Sequence, residues 1–420
     1  VRNHSAFAPF WAAGGAASAA LAQAAILALL ARLGEVDDLG RYALAAAITA
    51  PVMLPARLQL RILATAQTDS SRPPGVFLRT RLLVSGTAAV GLALFAWLLF
   101  EPLLAASVAL LAASRLAEDL AELSWGWLQR EHRWRLIAGS QAAHAFGLAL
   151  VFGVTYAASL HLPTAIAAGA AWHFVVFLAF DLPSSGLWRM DGGEADTTPW
   201  SHARALVREA GWLGPTAAFV SLNGHLPRLT LERWDSLEAV AVFAVLSQAP
   251  LVGNLAVQSL GQVRLRSLAE TAREAPQEFR RTFVEITWAA AAVALAGTLA
   301  AISVGEFVLT SFFGPALAGY GDELAWMLAA SLFLYLAGVW GYAWVALGER
   351  RLQLPIYAGA VACGLAAAAA WIPTHGLYGA VAAYAVGWAA ASAGCLWGVW
   401  TRISAKPESG FAPASTARYN

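Results

Sequence analysis

Twelve apolar stretches run along the chain, separated by short polar gaps that alternate in charge. The stretches lie at 8–31, 40–62, 82–100, 102–128, 135–159, 163–182, 210–230, 237–262, 285–309, 323–347, 354–372 and 376–401. A helix needs about 20 mostly apolar residues to span a bilayer. These runs are long and show no recurring ten-residue alternation, so they read as helices rather than strands of a barrel. Taken alternately from the N-terminus, the gaps on one side hold all but five of the 27 Lys and Arg residues. One such gap carries Arg57, Arg61, Arg72, Arg79 and Arg81, and another carries Arg264, Arg266, Arg273, Arg280 and Arg281. The other side receives Arg32, Arg41, Arg228 and Arg233, while Arg115 falls within a stretch. Basic loops stay in the cytoplasm. The pattern therefore predicts an all-α polytopic membrane protein of about twelve transmembrane helices, with both termini cytoplasmic.

The longest hydrophilic stretch, about residues 184–209, divides the chain into two groups of six spans. Ser184 to Pro199 reads as a flexible linker. Trp200 to Ala210 reads as a short interfacial helix, with Trp200, Ala203 and Val207 on one face and Arg204 and Arg208 on another. The expected organisation is an N-terminal lobe over 1–183, the linker and interfacial helix over 184–209, a C-terminal lobe over 210–402 and a tail over 403–420. Six spans per half leave the halves in the same orientation, so a repeat would be parallel. At an offset of 199, Pro51 matches Pro250 and Gln59 matches Gln258, while Gln23 roughly matches Asn223.

Composition agrees with a membrane protein. Charged residues make up 13% of the chain and hydrophobic ones 59%, whereas soluble proteins carry about 25% charge. Cys363 and Cys395 both lie in apolar stretches, which suggests neither a disulfide framework nor a metal site. The first stretch is too long for a signal-peptide core and is expected to be a retained helix. No phosphate-cradling Gly-rich Lys loop, nucleophile elbow or zinc-binding His-Glu motif occurs, so neither ATP hydrolysis nor a bound cofactor is expected, and nothing points to nucleic acid. Glu35, Asp37 and Asp38 form an acidic turn, but that turn is too short to cradle a sugar donor for a membrane glycosyltransferase. A polymerase would want a substantial outer loop, and none exceeds about fifteen residues, short even by the standards of ordinary connections.

Ionisable groups at bilayer depth usually face a cavity or a polar partner. Span two ends with Arg57, Gln59 and Arg61 below Pro51 and Pro55; these residues either snorkel to the cytoplasmic interface or line a cavity. Span four carries Arg115, Glu118, Asp119 and Glu122, with Arg115, Glu118 and Glu122 on one stripe. One arginine against three acids leaves negative charge over, unless a proton or another basic residue compensates. The cluster is therefore either an ion-pair network that fixes packing or an ion-coupling site. Span seven carries Asn223, His225 and Arg228, the arginine being either an interfacial anchor or a cation that meets an anionic substrate group. Span eight carries Gln248, Asn254, Gln258 and Gln262, the last three recurring every four residues on one face. Such a stripe suits sugar hydroxyls or interhelical hydrogen bonds. His144 and His173 read as isolated, packed histidines.

Three runs carry a family resemblance. LGRYALAAAITAPVMLPARLQLR, Leu39 to Arg61, resembles span two of bacterial polysaccharide and O-antigen flippases of the multidrug/oligosaccharidyl-lipid/polysaccharide exporter superfamily. RLAEDLAELSWGWLQREHR, Arg115 to Arg133, is similar to that family's span-four signature, and SLNGHLPRLTLE, Ser221 to Glu232, to its span-seven pattern. Many relatives have an aromatic residue after the span-seven arginine, where this chain has Leu229. The resemblance implies two six-helix lobes around a central cavity lined by spans one, two, seven and eight, working by alternating access. It implies a transporter rather than an enzyme, acting as a monomer in the inner membrane. The implied substrate is an undecaprenyl-pyrophosphate-linked oligosaccharide, a polyprenyl-pyrophosphate-linked cargo for O-antigen, capsule or exopolysaccharide assembly, with the polysaccharide polymerase and glycosyltransferases as partners. The alternatives are a multidrug or small-cation antiporter of the same superfamily and a membrane glycosyltransferase or polymerase.

Overall fold

The computed structural model describes residues 8–66, 74–187, 199–211, 213–347 and 353–404, and among them there is no strand. The first half folds as α1 (Ala8–Leu33), α2 (Val36–Ala56), a short α3 (Leu60–Ala66), α4 (Pro74–Leu99), α5 (Pro102–Arg130), α6 (Trp134–Ser159) and α7 (Leu162–Val176). A π-helical turn over Phe177–Asp181 leads from α7 into α8 (Leu182–Ser185). After α9 (Pro199–Ala210), where the interfacial helix was expected, come α10 (Leu213–Trp234), α11 (Leu237–Leu246), α12 (Gln248–Glu274), α13 (Pro276–Phe313), α14 (Gly321–Ala346) and α15 (Gln353–Ser404). Most of the predicted linker, residues 188–198, and the tail from 405 onward lie outside the described residues.

Local chemistry explains most of the boundaries. Proline stands in the first turn of α5, α7 and α13, where its missing N–H has no helical partner to lose. The Ser236 hydroxyl accepts from the Ala239 N–H at 3.1 Å and caps α11. α15 unites two predicted spans across Gly376, whose φ of 50° and ψ of −123° break the helix. Eight helices are long and apolar enough to cross a membrane by length and composition. One of these is the bent α15, so they account for nine of the twelve apolar stretches. The other three are α1, whose apolar part runs over Ala17–Leu33, and the polar-bearing α5 and α10. The twelve-helix reading of the sequence thus maps onto the fold helix by helix.

Several predicted spans differ in form; span eight, for one, is divided at Ser247 between α11 and α12. Span two is not continuous: α2 stops at Ala56, just past Pro51 and Pro55, and Leu58 and Gln59 turn left-handed at φ of 48° and 51° before α3 begins. Side chains normally avoid that conformation, at about 1–2 kcal/mol per residue. Burial of Leu58 and Leu60 against Phe77, Leu123 and Trp127 helps to offset it. Span three begins earlier than its apolar run, because α4 starts at Pro74 and so includes Arg79 and Arg81. Arg81 is fully buried. The charge pattern had placed it in a loop, and its ion pair with Glu122 explains the difference.

The helices form two bundles. In the first, α1 packs on α6, and α5 packs on α2, α4 and α7. In the second, α15 packs on α10, and α14 packs on α12, α13 and α15. The bundles meet mainly where α2 lies against α10 and α11, with a lesser seam of α1 against α12 and α13. One continuous core crosses this seam, from Leu39, Tyr42 and Ala43 to Val240 and Phe243. At the same end, the Arg32 Nε of α1 donates to the Phe312 carbonyl at 2.9 Å and its Nη2 donates to the Ser311 carbonyl, capping the C-terminus of α13. The acidic turn is structural here, with Tyr156 donating to Asp38 at 2.7 Å and Arg41 pairing with Glu101 at 3.2 Å.

The seam depends on a missing side chain. A Cβ on Gly40 would lie 2.4 Å from the Leu237 carbonyl oxygen and 2.6 Å from Leu237 Cγ. Gly40→Val should therefore force α2 from α11 and destabilise the protein by about 1–3 kcal/mol, read as a lower midpoint of thermal unfolding in detergent. Gly86→Ala, where a Cβ meets nothing within 4 Å, should leave the midpoint unchanged or higher.

Candidate functional site

A cavity of about 690 Å³ lies between the two bundles. The first bundle lines it with Gln23 of α1, Ala46 and Ala50 of α2, and Arg115 of α5. The second contributes Ser221, His225 and Arg228 of α10, Ser247, and Gln248, Asn254 and Gln258 of α12. α14 adds Tyr342, and α15 adds Gln353, Tyr357, Tyr384 and Trp388. Of the groups picked out in the sequence, Gln23, Arg115, His225, Arg228, Gln248, Asn254 and Gln258 are brought together here. The side chain of Gln262 lies outside the described ones. Spans one, two, seven and eight do line the cavity, but spans ten to twelve supply its aromatic wall. Tyr384 and Trp388, one helical turn apart with ring centroids 6.3 Å apart, were the available signal for that wall.

The remaining candidates point elsewhere. Asn223 is buried over Gly364 and Gly387 of α15, and neither amide atom has a hydrogen-bond partner among the described residues. Gln59 is exposed in the left-handed turn after α2. Arg57 and Arg61 face α5: the Arg61 Nη2 donates to Gln129 Oε1 at 3.0 Å, and the Arg57 Nε donates to Asp119 Oδ1 at 2.6 Å.

Arg228 is the unusual cation of the cavity. It is 8% exposed, so it does not sit at an exposed interface as an anchor would. Its Nη2 donates to Ser247 Oγ, its Nη1 lies 3.2 Å from His225 Nδ1, and its buried Nε has no hydrogen-bond partner among the described residues. Guanidinium only donates, so His225 Nδ1 accepts and the imidazole is held in its neutral Nε2–H tautomer. No carboxylate pairs with Arg228 among the described residues, and no Asp or Glu lines the cavity among them. A buried cation without a counterion is costly unless something anionic meets it. Its planar fork suits a phosphate or carboxylate.

The acids of α5 behave in the opposite way. Arg57 of α2 reaches Asp119 at 2.6 Å, Glu118 at 3.7 Å and Glu122 at 4.0 Å. Arg81 of α4 pairs with Glu122 at 3.4 Å, and Arg115 pairs with Glu118 at 2.7 Å. Ser85 donates to Asp119 Oδ2 at 2.9 Å. Three carboxylates thus meet three guanidiniums, and the negative excess expected from α5 alone is cancelled by α2 and α4. His144 and His173, read as isolated, are neighbours with ring centroids 4.9 Å apart. His144 Nε2 lies 2.7 Å from the buried Asp181 Oδ2.

Comparison with known proteins follows the geometry. No family model matches the chain. The chain is similar to the capsular polysaccharide biosynthesis protein CapF of Staphylococcus aureus, 23% identical over 367 residues that cover 86% of this chain and 90% of that one. Its fold matches lipid II flippase MurJ in an inward closed conformation, with a TM-score of 0.73 at 9% identity, over 94% of this chain and 89% of the other. It also matches an inward-facing multidrug resistance MATE family transporter of the MOP superfamily, with a TM-score of 0.60 at 14% identity over 95% and 94% of the two chains. The MATE transporter VcmN of Vibrio cholerae in its bent form gives 0.59 at 14% identity, over 95% and 98%. The described residues therefore share the helical fold of the lipid II flippase MurJ and of these MATE transporters.

The α5 network generates a stability prediction. Asp119→Asn leaves Arg57 buried beside its lost partner and should destabilise the protein by about 3–5 kcal/mol, seen as lower thermal stability in detergent. The double variant Arg57→Met/Asp119→Leu should recover part of that loss, because Glu118 and Glu122 keep Arg115 and Arg81.

Proposed function

We propose that this protein is a flippase that carries a polyprenyl-pyrophosphate-linked oligosaccharide across the bacterial inner membrane by alternating access. The observation that carries this reading is Arg228, a buried guanidinium without a carboxylate partner among the described residues, facing a cavity whose polar lining is otherwise amides, hydroxyls, His225 and Arg115, beside aromatic and aliphatic side chains. A pyrophosphate supplies the missing anion as a bidentate acceptor. The amides Gln23, Asn254 and Gln258 suit sugar hydroxyls, and Arg115 adds a second cation from the other bundle. At about 690 Å³ the cavity falls within the size range of small-ligand sites, about 300–1,000 Å³. It fits a lipid headgroup with its first sugars rather than a polymer. The similarity to a capsular polysaccharide biosynthesis protein and to the fold of a lipid II flippase supports the same cargo class. A lipophilic-cation antiporter would want acids in the cavity, and the lining among the described residues holds none. The cargo would arrive from glycosyltransferases and pass to a polymerase, with a single chain as the working unit.

In this reading the moving parts are a lobe over 1–183 and a lobe over 210–402, joined by the linker and helix of 184–209, with 403–420 as a cytoplasmic tail. The cavity runs toward Gln258, Tyr342 and Gln353, on the side of basic Arg264, while Gly40 of α2 packs against Leu237 of α11 at the opposite end. In this reading the cavity is reached from the cytoplasm and both termini lie inside. Reporter fusions at Gly34, Ser236 and Tyr320 should accordingly signal the outside, and those at Ser70, Gly193 and Thr271 the cytoplasm. A reproducible inversion within the first six spans would overturn the parallel arrangement of lobes.

Arg228 supplies the functional test. Arg228→Ala should abolish delivery of a pyrophosphate-linked glycolipid to the outer face of proteoliposomes, read with an impermeant probe and without ATP, while the protein still accumulates. Arg228→Lys should keep part of the activity, since charge survives and the bidentate fork does not. Near-normal transport by the alanine variant would refute the assignment. Normal surface polysaccharide with new sensitivity to cationic dyes in a deletion strain would favour the antiporter.

A further inference from the structure

Among the described residues, every carboxylate in the interior of the first bundle has an arginine beside it, except one. Glu118, Asp119 and Glu122 are matched by Arg115, Arg57 and Arg81. Asp181, fully buried where the π-helical turn ends, has His144 instead, at 2.7 Å from its Oδ2. Its Oδ1 accepts from Ser140 Oγ, which in turn accepts from Trp125 Nε1 at 2.7 Å. An arginine partner is permanently charged, whereas a histidine partner is charged only when it carries a second proton. The His144–Asp181 pair is therefore a place in this bundle where net charge can change by one.

The pair also has a route to the cavity. His173 lies against His144, and its Nδ1 is 3.9 Å from Glu118 Oε1. His144 Nδ1 and both His173 nitrogens are buried without hydrogen-bond partners among the described residues. Buried unpaired polar atoms call for a function or a water. Glu118 borders a small cavity of about 30 Å³, room for one or two waters. Gln23 and Arg115 line both that cavity and the large one. Asp181, His144, His173 and Glu118 thus stand in succession between the π-helical turn and the small cavity, which shares Gln23 and Arg115 with the large one.

We infer that the His144–Asp181 pair is a proton-binding site, that it exchanges its proton with the central cavity through His173 and Glu118, and that its occupancy biases the protein between its inward- and outward-open states. In the loaded form one proton serves both groups, giving imidazolium and carboxylate, or neutral imidazole and carboxylic acid. Release of that proton leaves His144 donating its Nε2–H to an ionised Asp181, and the bundle interior then holds one negative charge with no counterion. The packed state penalises that charge, and a state that admits water around the π-helical turn tolerates it. The fixed charges around the site are Arg115, Glu118, Asp119 and Glu122 from α5, Arg57 from α2 and Arg81 from α4. Arg133 donates to the Ser184 carbonyl near Asp181 at 2.9 Å, and α1, packed on α6, has its only ionisable side chain, Arg32, at the outer end.

The inference rests on alternating access but not on the cargo, so it is tested without any lipid-linked sugar. The full chain carries Cys363→Ala and Cys395→Ala, with spin labels on Glu35→Cys and Ala316→Cys, and is placed in lipid nanodiscs. These exposed sites flank the contact between Arg32 and the end of α13, so their separation reads opening of the outer end. The distance distribution should shift with pH in the parent protein. Asp181→Asn, which keeps the hydrogen bond from Ser140, should abolish the shift. His173→Gln, which loses no hydrogen bond, should move its midpoint and serves if the first variant fails to fold. A distribution independent of pH in the parent protein, or an unaltered pH response in both variants, would overturn the inference. Failure of glycolipid transport by the same protein would refute the cargo and leave this result standing.

Discussion

The interior of a bilayer-spanning bundle tolerates a charge only when something answers it, and the first bundle is organised around that constraint. A single unanswered ion in such a setting costs several kcal/mol. Asp119, fully buried, is answered by Arg57 at 2.6 Å, and Arg57 stands at the end of α2. Glu122 is answered by Arg81 of α4 and Glu118 by Arg115 one turn away. The network thereby ties α2, α4 and α5 into one unit. It holds α2 at the position from which the same helix packs against the second bundle. Charge balance in one lobe thus sets the seam along which the two lobes meet.

The cavity takes its character from the place where balance is withheld. Among the described residues, Arg228 has a hydroxyl and a neutral imidazole beside it, and no carboxylate. Both neighbours are local: His225 is one turn back on α10, and Ser247 lies at the break between α11 and α12. A neutral surround keeps the guanidinium available to an incoming anion, where a carboxylate would have satisfied it internally. The aromatic wall from Tyr357, Tyr384 and Trp388 faces the same space. It offers the flat apolar faces that the residue after Arg228, an aliphatic leucine, does not.

Small residues and prolines shape the rest. Gly40 lets α2 approach Leu237 at a distance no side chain permits. Pro51 and Pro55 end α2 early, and the left-handed pair Leu58 and Gln59 redirects the chain into α3. That turn aims Arg57 and Arg61 at α5 rather than into the cavity. Strained backbone of this kind persists where surrounding contacts over-determine it, and here the ion pair and the apolar cluster around Phe77 and Trp127 both do so.

Much was legible in the sequence because it depends on the chain's local pattern. Twenty-residue apolar runs must become helices in lipid, since no other element satisfies its own backbone there. The helices that the twelve stretches form follow from that, as does the placing of Gln23, Arg228, Gln248, Asn254 and Gln258 on them. Which face of each helix meets which neighbour is not a local property, and there the sequence was silent or misleading. Arg81 lies beside basic loop residues in the chain but pairs with Glu122 in the interior. Asn223 shares a helix with Arg228 yet turns to the glycines of α15 instead of the cavity. His144, His173 and Asp181 sit on two helices at separations of 29 and 37 residues, with no spacing to connect them. Hydropathy decided that helices would form and how many would cross. Only packing could decide which charges would cancel, because an ion pair between helices exists only after the helices have met.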